Sequence, residues 1–131
     1  MHRTYVRIVG SAMTSFRAIP LSIHAGLESI AAPAIMVAPF LLGFGQAATV
    51  ICVAIGVLLL GLALQIPGPT RSVPLAHHAS FDYALAGFAA FSGLALGLIT
   101  GAWESAVFLV GIGAALVAMT ASTRFTAPRG A

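Results

Sequence analysis

The chain has 131 residues, of which 60% are hydrophobic and only 7% charged, and its formal net charge is +3. A water-soluble domain carries about 25% charged residues, so a mean hydropathy of +1.04 excludes an ordinary soluble fold. The six cations are all Arg and lie scattered, without the basic, aromatic-laced patch of a nucleic-acid binder. A lone Cys52 excludes an intrachain disulfide and a cysteine-based metal cluster.

Residues 1–20 form a first segment. Tyr5, Ile8, Val9, Ala12, Met13, Phe16 and Ile19 recur at helical spacing, with Arg3, Arg7, Thr14 and Arg17 on another side. That pattern predicts a short amphipathic helix over 3–19 lying in the headgroup plane. Arg7 and Arg17 interrupt the apolar stretch that a cleavable signal peptide needs, so none is expected.

No Asp, Glu, Lys or Arg occurs from Ser29 to Thr70, from Tyr83 to Trp103 or from Ser105 to Thr123. Crossing a hydrocarbon core of about 30 Å takes roughly 20 apolar residues. The first run accommodates two crossings and the others one each. The expected architecture is all-α: a bundle of four transmembrane helices made of two tandem hairpins. Pro20 suits the first turn of helix 1, expected over Leu21–Phe44. Gly43-Phe44-Gly45-Gln46 predicts a turn, and helix 2 follows over Ala47–Ile66, completing a first hairpin at 21–66. Pro67-Gly68-Pro69 and Pro74 make 67–77 a breaker-rich connector. Helix 3 is expected over Leu75–Thr100, a turn at Gly101, and helix 4 over Trp103–Ser122. The second hairpin is thus 78–122, and 123–131 a cytoplasmic tail.

All six Arg fall in the three segments that four crossings place on one side, and none in the two opposite turns. The positive-inside rule then puts both termini and the connector in the cytoplasm, with Trp103 and Glu104 at the outer interface. The expected location is the inner (plasma) membrane.

The halves repeat. His24-Ala25-Gly26-Leu27-Glu28 matches His78-Ala79-Ser80-Phe81-Asp82 at an offset of 54, which also sets Gly43 against Gly97. Two hairpins in the same orientation are expected to be related by a pseudo-twofold axis along the membrane normal. The stretch Ala38-Pro39-Phe40-Leu41-Leu42-Gly43-Phe44 resembles the Ser-Pro-Trp core of the SPW-repeat integral membrane family, which runs on into a short apolar stretch ending in Gly-Phe. Ala38-Pro39-Phe40 replaces Ser-Pro-Trp in the first repeat, and Ser92-Gly93-Leu94 keeps only the Ser in the second. The resemblance covers residues 22–122 and implies a small bacterial membrane protein of two helical hairpins. It implies no activity.

Small residues let membrane helices approach closely. Ala89, Gly93, Gly97 and Gly101 in helix 3, Ala48, Cys52 and Gly56 in helix 2, and Gly111 with Ala115 in helix 4 are therefore the expected four-helix interface, or alternatively a homodimer seam. Pro33 and Pro39 predict a bend in helix 1.

Chemistry is concentrated in His24/Glu28 and His78/Asp82. A spacing of four puts each pair on one helix face, and eleven residues at 100° bring Gly93 to within about 20° of Asp82. If the glycine face points inward, so do both pairs. Three readings stand. The acids can be stabilised by helix N-termini and bonded to their His neighbours as an anchor. The four side chains can ligate a metal from facing helices. They can also carry protons, or hold a haem between His24 and His78. No Ser/His/Asp set, Gly-rich phosphate loop or nucleotide motif occurs. The resulting expectation is a non-enzymatic, structural or accessory membrane protein without an assigned cofactor or catalytic residue. Its partners are the lipid bilayer and either further copies of itself or other membrane subunits, and not nucleic acid. The alternative is a metal-, haem- or proton-handling protein using His24, Glu28, His78 and Asp82.

Overall fold

A computed structural model describes residues 17–65 and 75–125. They form four α-helices: α1 Leu21–Leu41, α2 Gln46–Gln65, α3 Leu75–Thr100 and α4 Trp103–Ala121. Each is long and apolar enough to cross a membrane. The expected amphipathic helix falls on residues 1–16, outside the described residues, except for its last turn. There the expectation is corrected: Arg17 and Ala18 are not helical, and Ile19 pairs in parallel with Thr123 as an isolated β-bridge. The Pro67–Pro74 connector and residues 126–131 also lie outside the described residues.

The helices end where backbone chemistry stops them. α1 closes three residues earlier than expected, at Leu41, because Gly43 adopts a left-handed φ of 68°. The Leu42 N–H donates to Ala38 O at 2.9 Å and the Phe44 N–H to Pro39 O at 2.9 Å. The second of these is the six-to-one bond of a Schellman cap. Gly101, with φ 72°, plays the same part between α3 and α4. The sequence offset pairs Gly43 with Gly97, and this equivalence is corrected. α3 has 26 residues against 21 for α1, so the left-handed glycine arrives later, and Gly97 stays inside the helix. α1 continues through both Pro33 and Pro39.

The two hairpins nevertheless share a register. α1 and α3 begin 54 residues apart, at Leu21 and Leu75; α2 and α4 begin 57 apart, at Gln46 and Trp103. At the first offset His24, Glu28, Ala32, Ile35 and Pro39 align with His78, Asp82, Ala86, Ala89 and Gly93, and all are buried. At the second, Ala48, Cys52, Gly56, Leu59 and Ala63 align with Ser105, Leu109, Gly113, Leu116 and Thr120, again all buried.

The buried positions are rich in small residues, while large apolar side chains point outward: Leu41 is 81% exposed, Ile99 81% and Phe91 73%. In water that distribution would be unfavourable, but in lipid, where apolar surface gains nothing by burial, small residues at contacts are what packing demands. A Cβ on Gly56 would meet Met36 and would stand 2.8 Å from Ala32 O; on Gly93, 2.8 Å from Ala106 O; on Gly113, 2.6 Å from Ala86 O. These contacts lie within hairpins, α1 on α2 and α3 on α4, so the small-residue stripes seat each hairpin rather than join the two. In α4 the packing residue is Gly113; Gly111 and Ala115 are exposed, as is Gly101 in its turn. The hairpins meet chiefly along α2 and α3, with a short α1–α4 contact. Ile35, Ile55, Leu59, Leu85, Leu109 and Leu116 fill the common core.

Candidate metal centre

α1 and α3 present the same two functional groups at the same depth. His24 and His78 are the fourth residues of their helices, and Glu28 and Asp82 the eighth. One helical turn separates His from acid, so both side chains leave the same face. The shared register then sets the two pairs opposite each other. His24, Glu28 and Asp82 have 0% exposure and His78 1%. The structure thus brings together all four residues that the sequence singled out. His77, adjacent in sequence, is exposed and takes no part. Glu104 is exposed at the other end of the bundle, in a depression lined by Gly43, Phe44 and Trp103. Cys52 is buried in the apolar core.

His24 Nε2 stands 3.1 Å from Glu28 Oε1 and 3.1 Å from Asp82 Oδ2. His78 Nε2 stands 3.4 Å from Glu28 Oε2 and 3.5 Å from Asp82 Oδ2. Each acid therefore bridges imidazoles from both hairpins, and one ligand atom from each residue lies within 4.8 Å of the other three. No other group of three or more His, Cys, Asp or Glu among the described residues has this geometry.

These atoms converge with only one hydrogen bond among them, His24 Nε2 to Asp82 Oδ2 at 3.1 Å. Both oxygens of Glu28, Nε2 of His78 and Oδ1 of Asp82 are buried and lack a hydrogen-bond partner, although several have an opposite-type atom within 3.5 Å. The cost of two unneutralised carboxylates in a low-dielectric interior is several kcal/mol per ion. A cation or protons must offset that cost.

Thr123 fixes how His24 is turned. The Thr123 hydroxyl donates to Met119 O at 2.7 Å, so at its 2.8 Å contact with His24 Nδ1 it accepts. Nδ1 consequently carries the hydrogen, and Nε2 faces the carboxylates. An imidazole held through its outer nitrogen is the arrangement metal-ligating histidines take. Thr123 itself is fully buried. It is held by the pairing with Ile19, in which the Ile19 N–H donates to Ser122 O and the Arg124 N–H to Ile19 O, each at 3.0 Å. The next residue, Phe125, lays its ring edge-on to His24 at 5.2 Å and against His78 at 6.0 Å. Sequence reasoning placed Thr123 and Phe125 in a cytoplasmic tail. Nothing in their spacing marks them, because they reach the site through the turn at Ser122 that follows α4 and not through a helical repeat.

The donor set is two imidazoles and two carboxylates. A tetrahedral ion with bonds of about 2.0–2.1 Å sets its ligand atoms about 3.3–3.4 Å apart. The four His–carboxylate distances of 3.1–3.5 Å lie near that value, while the donor set as a whole spans up to 4.8 Å and would close by about an ångström more around an ion. Calcium asks for six to eight oxygens, which two acids among imidazoles do not provide. A divalent ion such as Zn²⁺ would cancel both carboxylate charges with both imidazoles neutral. A porphyrin does not fit between His24 and His78, because the carboxylates that touch both nitrogens occupy that space.

Comparison with family models, with curated proteins and with solved structures finds no match to this chain.

Proposed function

We propose that this is a small, non-enzymatic integral membrane protein whose two hairpins are joined by one buried divalent ion of the zinc class. His24 Nε2, Glu28, His78 Nε2 and Asp82 would hold it, two ligands from each hairpin. The observation that carries this reading is the convergence of four fully buried donor groups, several with unsatisfied atoms, on one point. A closed set of four protein ligands leaves no position for substrate, the hallmark of structural rather than catalytic zinc. The location of the site supports a joining role: the hairpins pack tightly within themselves and less extensively on each other.

The distribution of Arg supports placing both chain ends, and hence the site, toward the cytoplasm. We extend the proposal to the SPW-repeat family on the strength of Ala38-Pro39-Phe40 and the duplicated hairpin, with no activity attached.

One contact favours a second reading. His24 Nε2 and Asp82 Oδ2 have hydrogen-bond geometry at 3.1 Å, so two imidazolium rings could neutralise the two acids with no metal present. Elemental analysis of protein purified in mild detergent separates the two. One equivalent of zinc-class metal, lost in the double variant Glu28→Gln/Asp82→Asn, supports the metal centre. Metal-free protein that also fails to take up added Zn²⁺ would refute it and leave the ion-pair cluster.

A further inference from the structure

The four ligand side chains are carried by α1 and α3 and are buried. Deeper in the bundle the axis is filled by Ala32, Ile55, Leu59, Leu85, Ala86 and Ala89, all buried. An ion moving that way would lose its ligands in an apolar core, at a cost that forbids passage. On the face where both chain ends lie, what covers the imidazoles among the described residues is a short non-helical strap, Ser122 to Phe125. The strap is fastened by the two backbone bonds to Ile19, the Ser122 N–H and hydroxyl to Ala118 O at 3.1 and 2.7 Å, Thr123 N–H to Thr120 O at 3.2 Å, the Thr123 hydroxyl to Met119 O and to His24 Nδ1, and the Arg124 guanidinium to Ala18 O at 3.3 Å; past Arg124, Phe125 adds its ring contacts. Phe125 is only half-buried, and Arg124 is exposed.

The same strap touches the ligands chemically. Thr123 accepts the hydrogen that fixes His24, and Phe125 packs on both rings. Displacing the strap therefore opens the path and loosens His24 in a single event. Short segments with few buried apolar contacts open at lower free energy than helices do.

We propose that the Ser122–Phe125 strap is the gate of this centre, with Phe125 as its plug, so that a divalent cation exchanges with the aqueous phase on the face of the chain ends. The identity of the ion rests on the function proposed above; the route rests on the placement of Phe125 alone.

The test has two arms. In the first, protein loaded with Zn²⁺ in detergent is challenged with excess chelator, and release is followed with a metallochromic dye. Phe125→Ala should release the ion about tenfold faster or more at unchanged stoichiometry, from the apolar contact removed. Phe125→Leu, which keeps most of the bulk, should stay near the parent rate and shows that the position tolerates substitution. Phe44→Ala is the control. Phe44 packs on Phe108 at 5.4 Å toward the opposite turns, and its loss should leave release unchanged. In the second arm, metal-stripped protein is treated with diethyl pyrocarbonate and its peptides are analysed by mass spectrometry. His24 and His78 should be protected relative to the exposed His77 in the parent, and become labelled in Phe125→Ala. A release rate within about twofold of the parent together with unchanged labelling overturns the gate. A parent chain that takes up no metal refutes the function proposed above, while the labelling arm still decides whether Phe125 guards the site.

Discussion

Removing both carboxylates should reverse its effect on stability according to whether metal is present. Glu28 and Asp82 supply both negative charges of the cluster and two of its four donors. In Glu28→Gln/Asp82→Asn the shape is conserved and the charge is gone. Without metal, the parent must bury two acids whose oxygens are incompletely paired, and the variant need not. Replacing buried ionic groups with neutral ones of similar volume is often stabilising by about 1–4 kcal/mol. With metal at a thousand times its Kd, the parent gains about 4.1 kcal/mol, equivalent to roughly 15 °C for a chain of this size. The expected order of melting temperature is metal-loaded parent, then variant, then metal-stripped parent. Trp103, the sole tryptophan, offers a fluorescence readout in detergent, with and without chelator. A parent that is indifferent to chelator and more stable than the variant would refute the reasoning, since that is how a protonated ion-pair cluster behaves.

Other consequences follow from single residues. Glu28→Gln alone breaks half of the cross-hairpin contacts and should weaken Zn²⁺ binding by about 3–5 kcal/mol, as breaking a buried pair does, measured by chelator competition. Thr123→Val keeps the volume but removes the acceptor for His24 Nδ1. It should lower metal affinity about 10–100-fold, and an unchanged affinity would show that Thr123 does not orient the ring. Gly113→Ala drives a methyl toward Ala86 O and should cost about 1–3 kcal/mol, whereas Gly111→Ala meets nothing within 4 Å and should leave the melting temperature unchanged or slightly raised. In a Cys52→Ala background, Arg17→Cys and Ser122→Cys should react with an impermeant thiol reagent from the same side of sealed vesicles, and Glu104→Cys from the other. Labelling of the first two from opposite sides would contradict four crossings.

The spans were legible because lipid imposes a rule that a single sequence displays: long stretches without charge, broken where the chain meets water. The site was legible for a related reason. Four ionisable residues recurring at an offset of 54 in a chain with only three acids leave few alternatives, and equal depth in two parallel helices brings them together. Less visible were matters decided by close contact. Gly111 and Gly113 look alike as letters, and only the rotation of α4 shows that Gly113 faces Ala86. Gly43 and Gly97 share the offset of 54, yet only Gly43 ends a helix, because α3 extends five residues beyond the length of α1 and stops at the Gly101 turn. Thr123 and Phe125 could not be read at all. Their effect depends on where a non-periodic segment turns, and composition carries no trace of that.

Even division of the four side chains between the hairpins means that neither half holds the buried cluster alone. Each contributes one nitrogen base and one acid from the same two positions of its leading helix. Two identical hairpins facing across a dyad would assemble the same quartet. The covalent link through residues 66–74 therefore supplies proximity rather than chemistry, and it frees the copies to diverge. The difference between Glu28 and Asp82 is one such divergence, a single methylene that leaves the charge unchanged.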